Sequence, residues 1–175
     1  MQIRAAGGTR TTQKLIKDIA HYCADSLMSK RLSNTLLLKI EISDLGIGDI
    51  DGDCDYEELG DYRPKEFIIR VNQNLRLNKQ LRTICHEMVH VKQYAKGEMT
   101  PSWRPARHTR FNGQLYPDSV NYWECPWEIE AFGREVGLYS RWVDDKGWSG
   151  NEIFDSRHLV EEIPQLEKDL LKITG

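Results

Sequence analysis

Residues 86–90 read His86-Glu87-Met88-Val89-His90, and no other stretch constrains the fold as much. Two imidazoles four residues apart can grip one metal ion when the segment is helical, because such residues share a face about one turn apart. The pattern H-E-x-x-H then points to zinc, with Glu87 beside the ion as general base. The flanking sequence supplies a helix over residues 78–96. Asn78 is a capping residue type and Gly97 a stop. Leu81, Ile84, Cys85, Met88 and Ala95 form one apolar stripe at about 100° per residue. His86 and His90 project roughly opposite that stripe, where a core histidine has no reason to be.

Two imidazoles under-ligate a catalytic zinc, which takes three protein ligands plus water. Glu124, Cys125, Glu128, Glu130 and His108 are on offer. A later helix over 127–143 decides among them. Its apolar stripe is Ile129, Phe132, Val136, Tyr139 and Val143. Glu128 lies about 50° from the stripe's centre and Glu130 about 150°. Packed on the first helix, it aims Glu128 inward and Glu130 to solvent. Glu128 is therefore the expected third ligand, with Glu130 and His108 as alternatives.

The rest of the chain reads as α+β. Leu15, Ile16, Ile19, Cys23 and Leu27 mark a helix over 12–28, capped by Thr11 or Thr12. Residues 35–42 and 66–72 are β-branched, apolar strands. Residues 44–61 are acidic and turn-rich, with Asp51-Gly52 suggesting a hairpin turn. Neither register starting at Asp49 or Asp51 places Gly and Glu where a calcium loop needs them. Residues 98–123, with Pro101, Pro105, Gly113 and Pro117, read as irregular, and Pro164 opens a short terminal helix. One domain over 1–175 is expected, with a core of about 12–143 and an appendage at 144–175.

At this point the chain resembles the zincin metallopeptidases, of gluzincin-like type. It shows a first helix, two strands, the His86–His90 helix and then Glu128-Ile129-Glu130-Ala131, an E-x-x-small arrangement. The stretches around Arg63 to Phe67 and His90 to Tyr94 also resemble small peptidases carried by bacteriophages. The resemblance implies a small mixed sheet and zinc held by His86, His90 and Glu128. It also implies peptide hydrolysis with Glu87 as base and a Tyr or His stabilising the carbonyl oxygen. Tyr122 is the candidate for that last role, with Tyr116 and His108 as rivals. Residues 67–71 would form the sheet edge along which substrate adds. One departure matters: the gap from His90 to Glu128 is long and contains His108. SprT-like zincins, which include proteases acting on DNA-bound proteins, use a third histidine. In that alternative His108 is the ligand, and Trp103, Arg104, Arg107, Arg110 and Phe111 mix cations with aromatics as single-strand-binding surfaces do.

The net charge of −3 gives a nucleic-acid partner no support. No apolar run approaches the ~20 residues of a membrane span. No secretory core is visible, and Cys23, Cys54, Cys85 and Cys125 read as reduced thiols. The expectation is thus a cytoplasmic enzyme, of a bacterial host if phage-encoded, acting on peptide or protein. A non-catalytic zincin-fold binding module is the competing class, against which the intact Glu87 argues.

Overall fold

The computed structural model describes residues 1–46, 50–56, 63–102 and 107–155. Its chain is mixed α+β. A four-stranded sheet is built from β1 (Gln2–Ala6), β2 (Leu37–Ser43), β3 (Gly52–Tyr56) and β4 (Glu66–Asn72), in the order β1-β2-β4-β3. The β1–β2 and β2–β4 pairs are parallel, whereas β3 runs antiparallel to β4 at the sheet's end. Strict alternation explains which face is covered: Leu38, Ile40 and Ile42 of β2 and Phe67, Ile69 and Val71 of β4 are buried in the core. They join a cluster with α1 (Arg10–Leu27) and α3 (Leu77–Lys96). Each fully buried Ile or Leu there stabilises the fold by about 1.5–3 kcal/mol.

Helix α3 is central. It packs on α1, on β3 and β4, and on α4 (Pro126–Asp145), so it is buried on nearly every side rather than along one stripe. Gly97 ends it in the left-handed region at φ 70°, and the amides of Gly97 and Glu98 close its last turn. Its start differs from expectation. The N-cap is Arg76, without a side-chain cap, while Asn78 donates to the Asp155 carbonyl. Likewise α1 is capped by Thr9, whose hydroxyl accepts from Thr12 N, not by Thr11 or Thr12 themselves. A short α2 (Lys30–Ser33) leads into β2.

Strand β1, ahead of the buried core that starts at Ile16, adds to the free side of β2. Three expectations are corrected. Residues 67–71 are not a sheet edge: β4 is flanked by β2 and β3, and the end strand on that side is β3. Asp51-Gly52 is no hairpin turn, since Gly52 is already paired with Val71. A Cβ there would lie 2.7 Å from Thr83 Cγ2 and 2.8 Å from the Arg70 carbonyl, so only glycine lets β3 approach α3 this closely. Residues 98–123 are not irregular throughout: β5 (Met99–Ser102), β6 (His108–Phe111) and β7 (Gln114–Pro117) form an antiparallel meander. The terminal helix expected at Pro164 lies outside the described residues, as do Trp103 and Arg104. Of the acidic stretch, Asp51 pairs with Lys79, and Asp53 and Asp55 with Arg70; Asp49 lies outside the described residues. Among the described residues no helix is long and apolar enough to cross a membrane.

Candidate metal centre

The face of α3 that meets α4 carries His86 and His90. Pro126, at the first helical position, sets α4's start, and Glu128 stands in its first turn, where the helix dipole favours a carboxylate. The α3–α4 packing turns Glu128 onto the two histidines. His86 Nε2 lies 3.2 Å from His90 Nε2 and 3.3 Å from Glu128 Oε2, and His90 Nε2 lies 3.5 Å from the same oxygen. All three residues are buried. Among the described residues this is the only group of three or more His, Cys, Asp or Glu side chains whose ligand atoms converge.

Those separations suit a shared ion. Ligands held tetrahedrally at zinc's usual 2.0–2.1 Å stand about 3.3–3.4 Å apart. The donor set, two imidazoles and one carboxylate, could hold a divalent ion and leave a fourth position open, as catalytic zinc sites do. Moreover, Oε2 of Glu128 is buried and has no well-formed hydrogen bond among the described residues. Leaving such an oxygen unpaired costs about 1–3 kcal/mol, more for a charge. The flanking imidazoles sit at the margin of hydrogen-bond range, so their hold on the carboxylate is chiefly ionic.

Each histidine is oriented from behind. His86 Nδ1 meets Glu135 Oε2 at 2.9 Å, and Arg82 donates to the other oxygen of Glu135. His90 Nδ1 meets the side-chain oxygen of Gln93 at 2.8 Å, and Gln93 in turn donates to the Trp127 carbonyl and to Glu130. Carboxylate and amide partners of this kind set which nitrogen faces the ion. Neither Glu135 nor Gln93 emerged from the sequence. Glu135 lies seven residues, two turns, beyond Glu128, and that spacing on one helix face was the signal.

The electrostatics follow from the cluster. Burial presses His86 toward neutrality, but Glu128 and Glu135 overcome it and raise its pKa to about 9. His90 moves upward for the same kind of reason, burial being outweighed by Glu128 and Glu87. Burial likewise opposes the ionisation of Glu128, yet the facing His86 and His90 lower it to about 2. For Glu87 burial wins over both histidines, and its pKa rises to about 7. Glu87 reaches toward the start of β3: its Oε1 would be 3.6 Å from a Cβ on Gly52. Tyr122, on a 3₁₀ turn (Tyr122–Glu124), faces Glu128; burial and that carboxylate raise its phenol well above the ordinary value.

In the metal-free protein His86 is therefore protonated at pH 7. Its stabilising contact is fully present below its ordinary 6.5 and is lost as pH rises through about 9; that of Glu128 is present above 4.5 and lost as pH falls through about 2. Because a metal binds neutral imidazole, zinc taken up here at pH 7 would release a proton, and its affinity should climb about tenfold per pH unit per proton until near pH 9. Calorimetry in buffers of different ionisation enthalpy measures this. No proton release at pH 7 would show the imidazoles already neutral.

The other candidates go elsewhere. Glu130 does not point into solvent: it is half-buried and bonded to Lys92, Gln93 and Arg134. Lys92 and Gln93 reach across from α3 to hold it. Separately, α4 is rotated by roughly 80° from the expected stripe. Ile129 and Val136 are exposed, while Glu128, Ala131, Glu135, Leu138, Tyr139, Trp142 and Val143 are buried. His108 sits on β6 and is not one of the converging ligands, nor is Glu124 or Cys125. Tyr116 packs edge-on against Trp127. Cys85 is buried against Cys23, Sγ to Sγ 3.6 Å, as a free thiol. No protein-family model, no curated protein and no solved structure matches the chain.

Proposed function

We propose that the chain is a zincin-like metallopeptidase that hydrolyses peptide bonds. The observation that carries this reading is the convergence of His86, His90 and Glu128 within hydrogen-bond-like distances, around a buried carboxylate oxygen that lacks a proper partner. His86, His90 and Glu128 would hold the ion, with Glu135 and Gln93 orienting the imidazoles. When bound, zinc supplies a Lewis acid that brings a water's pKa toward ~7.

The chain's own groups then account for proton traffic. Glu87 stands next to both histidines without being a ligand, and its pKa near 7 suits a group that both takes and returns a proton. Its carboxylate accepts the proton of the attacking water. As the carbon–nitrogen bond breaks, it hands that proton to the departing amine. The Tyr122 hydroxyl, kept protonated by its surroundings, is a donor for the developing negative charge on the carbonyl oxygen. The end strand β3 passes beside Glu87, so an extended peptide adding to it would bring its backbone to the base.

The test is metal analysis joined to hydrolysis. The purified protein should hold one zinc per chain and cleave peptides from a mixed library. A chelator should stop cleavage and added zinc restore it. A protein that keeps one zinc and cleaves no peptide would be a binding module instead.

A further inference from the structure

The first half of the apolar stripe of α4 does not enter the core, although Tyr139 and Val143 do. Ile129 is 57% exposed and Val136 42%, with half-buried Phe132 between them on the same helix surface. The stripe continues onto the preceding 3₁₀ turn. Trp123, 68% exposed, lies with its ring 5.2 Å from that of Phe132, and Tyr122, half-exposed, stands 5.3 Å from Trp123. Five large apolar side chains thus make one shelf on the surface, a cluster that isolated surface hydrophobes do not explain.

This shelf runs directly into the metal centre. The Phe132 ring packs edge-on against His86 at 4.6 Å, and Tyr122 faces Glu128. The sequence places these residues at the outset of α4 and just before it, so the helix turn that presents Glu128 also presents the shelf.

Resting on the peptidase reading above, we propose that Trp123, Phe132 and Ile129, with Tyr122 at the metal-side edge, form a specificity subsite for a large apolar side chain next to the bond cleaved. Its continuity with His86 and Glu128 singles out a substrate side chain as occupant. A flat indole and an open phenyl edge offer stacking contacts that an aromatic or leucine side chain can use and glycine cannot. An apolar subsite of this kind discriminates by roughly 10–200-fold.

The probes are fluorescein-labelled Ala-Ala-Phe-Ala-Ala and Ala-Ala-Gly-Ala-Ala. Anisotropy with the zinc-loaded Glu87→Gln protein reads binding without turnover, and kcat/KM with the wild-type holoenzyme reads cleavage. The phenylalanine peptide should bind at least tenfold more tightly. Adding Trp123→Ala or, separately, Ile129→Ser should collapse that difference while zinc content stays at one per chain. In the wild-type background the same substitutions should raise KM more than they lower kcat. Equal binding of the two peptides, binding of neither, or discrimination that survives both substitutions would overturn the subsite. So would a concentration-dependent dimer that Trp123→Ala dissolves, because a second copy would then be the occupant. If discrimination in binding is seen but the wild-type protein cleaves neither peptide, the peptidase reading fails and the shelf stands. If both are cleaved without discrimination, the shelf alone fails.

Discussion

Under the proposed peptidase function, replacing Glu87 with Gln should leave zinc bound and cut peptide hydrolysis by about 10²–10⁴-fold. Gln keeps the side chain's shape and can still hydrogen-bond, but it cannot accept a proton near neutral pH. The metal should stay, because the converging ligand atoms belong to His86, His90 and Glu128 and not to Glu87. A second readout separates proton transfer from damage to the fold. Folding raises the Glu87 pKa from 4.5 to about 7, so its ionised form opposes folding as pH rises above 4.5, and the penalty is complete above about 7. The neutral amide removes that penalty. The metal-free Glu87→Gln protein should therefore melt no lower than the parent at pH 8, and converge with it near pH 4. Unchanged turnover would eliminate Glu87 as the base. Loss of zinc together with turnover would mean that Glu87 holds the centre rather than serving the reaction.

The part of this site written in local pattern was legible without coordinates. His86, Glu87 and His90 are bound by a four-residue spacing on one helix, and Gly97 marks that helix's end through its own backbone freedom. The strands at β2 and β4 announce themselves by alternation. What escaped depends on partners distant in sequence. Strand β1 contributes little apolar character beyond Ile3, and it exists because β2 has a side to be covered. The place of β4 inside the sheet follows from parallel pairing with β2 on one side and antiparallel pairing with β3 on the other, which no local pattern encodes. Pro101 and Pro117 argue against strands, yet both lie in outer strands of the meander, where a missing donor is tolerated. The rotation of α4 is the most instructive case. An apolar wheel turns Ile129 and Val136 inward and gives no reason to bury Glu135 beside Glu128. Here Arg82, His86 and His90 compensate them, and two carboxylates stand on the buried face while Ile129 and Val136 are turned out.

Three glutamates on one helix should respond to substitution in three different ways, and the order of their effects tests the assignment of the centre. Glu128→Ala removes the proposed third ligand and leaves two imidazoles, too few to hold zinc against dialysis, so metal and hydrolysis should vanish together. Glu135→Gln leaves all three ligands but exchanges the charge behind His86 for a neutral amide; zinc affinity should fall by about 10–100-fold, with metal still loaded when zinc is in excess. Glu130→Ala removes none of the three proposed ligands, so zinc content should be unchanged. Its cost falls on stability, about 1 kcal/mol, because Lys92 is buried but keeps Glu98 as a second partner. Competition of each variant with a chromophoric chelator ranks the affinities, and urea denaturation of the metal-free proteins separates affinity from folding. Full zinc retention in Glu128→Ala, with loss in Glu130→Ala or His108→Ala, would move the third ligand and with it the geometry on which Glu87 and Tyr122 depend. Equal losses in Glu128→Ala and Glu135→Gln would mean that Glu135 is itself a ligand. The buried Arg82 pair makes that arrangement costly, since freeing Glu135 for the ion would leave a half-buried guanidinium unpaired.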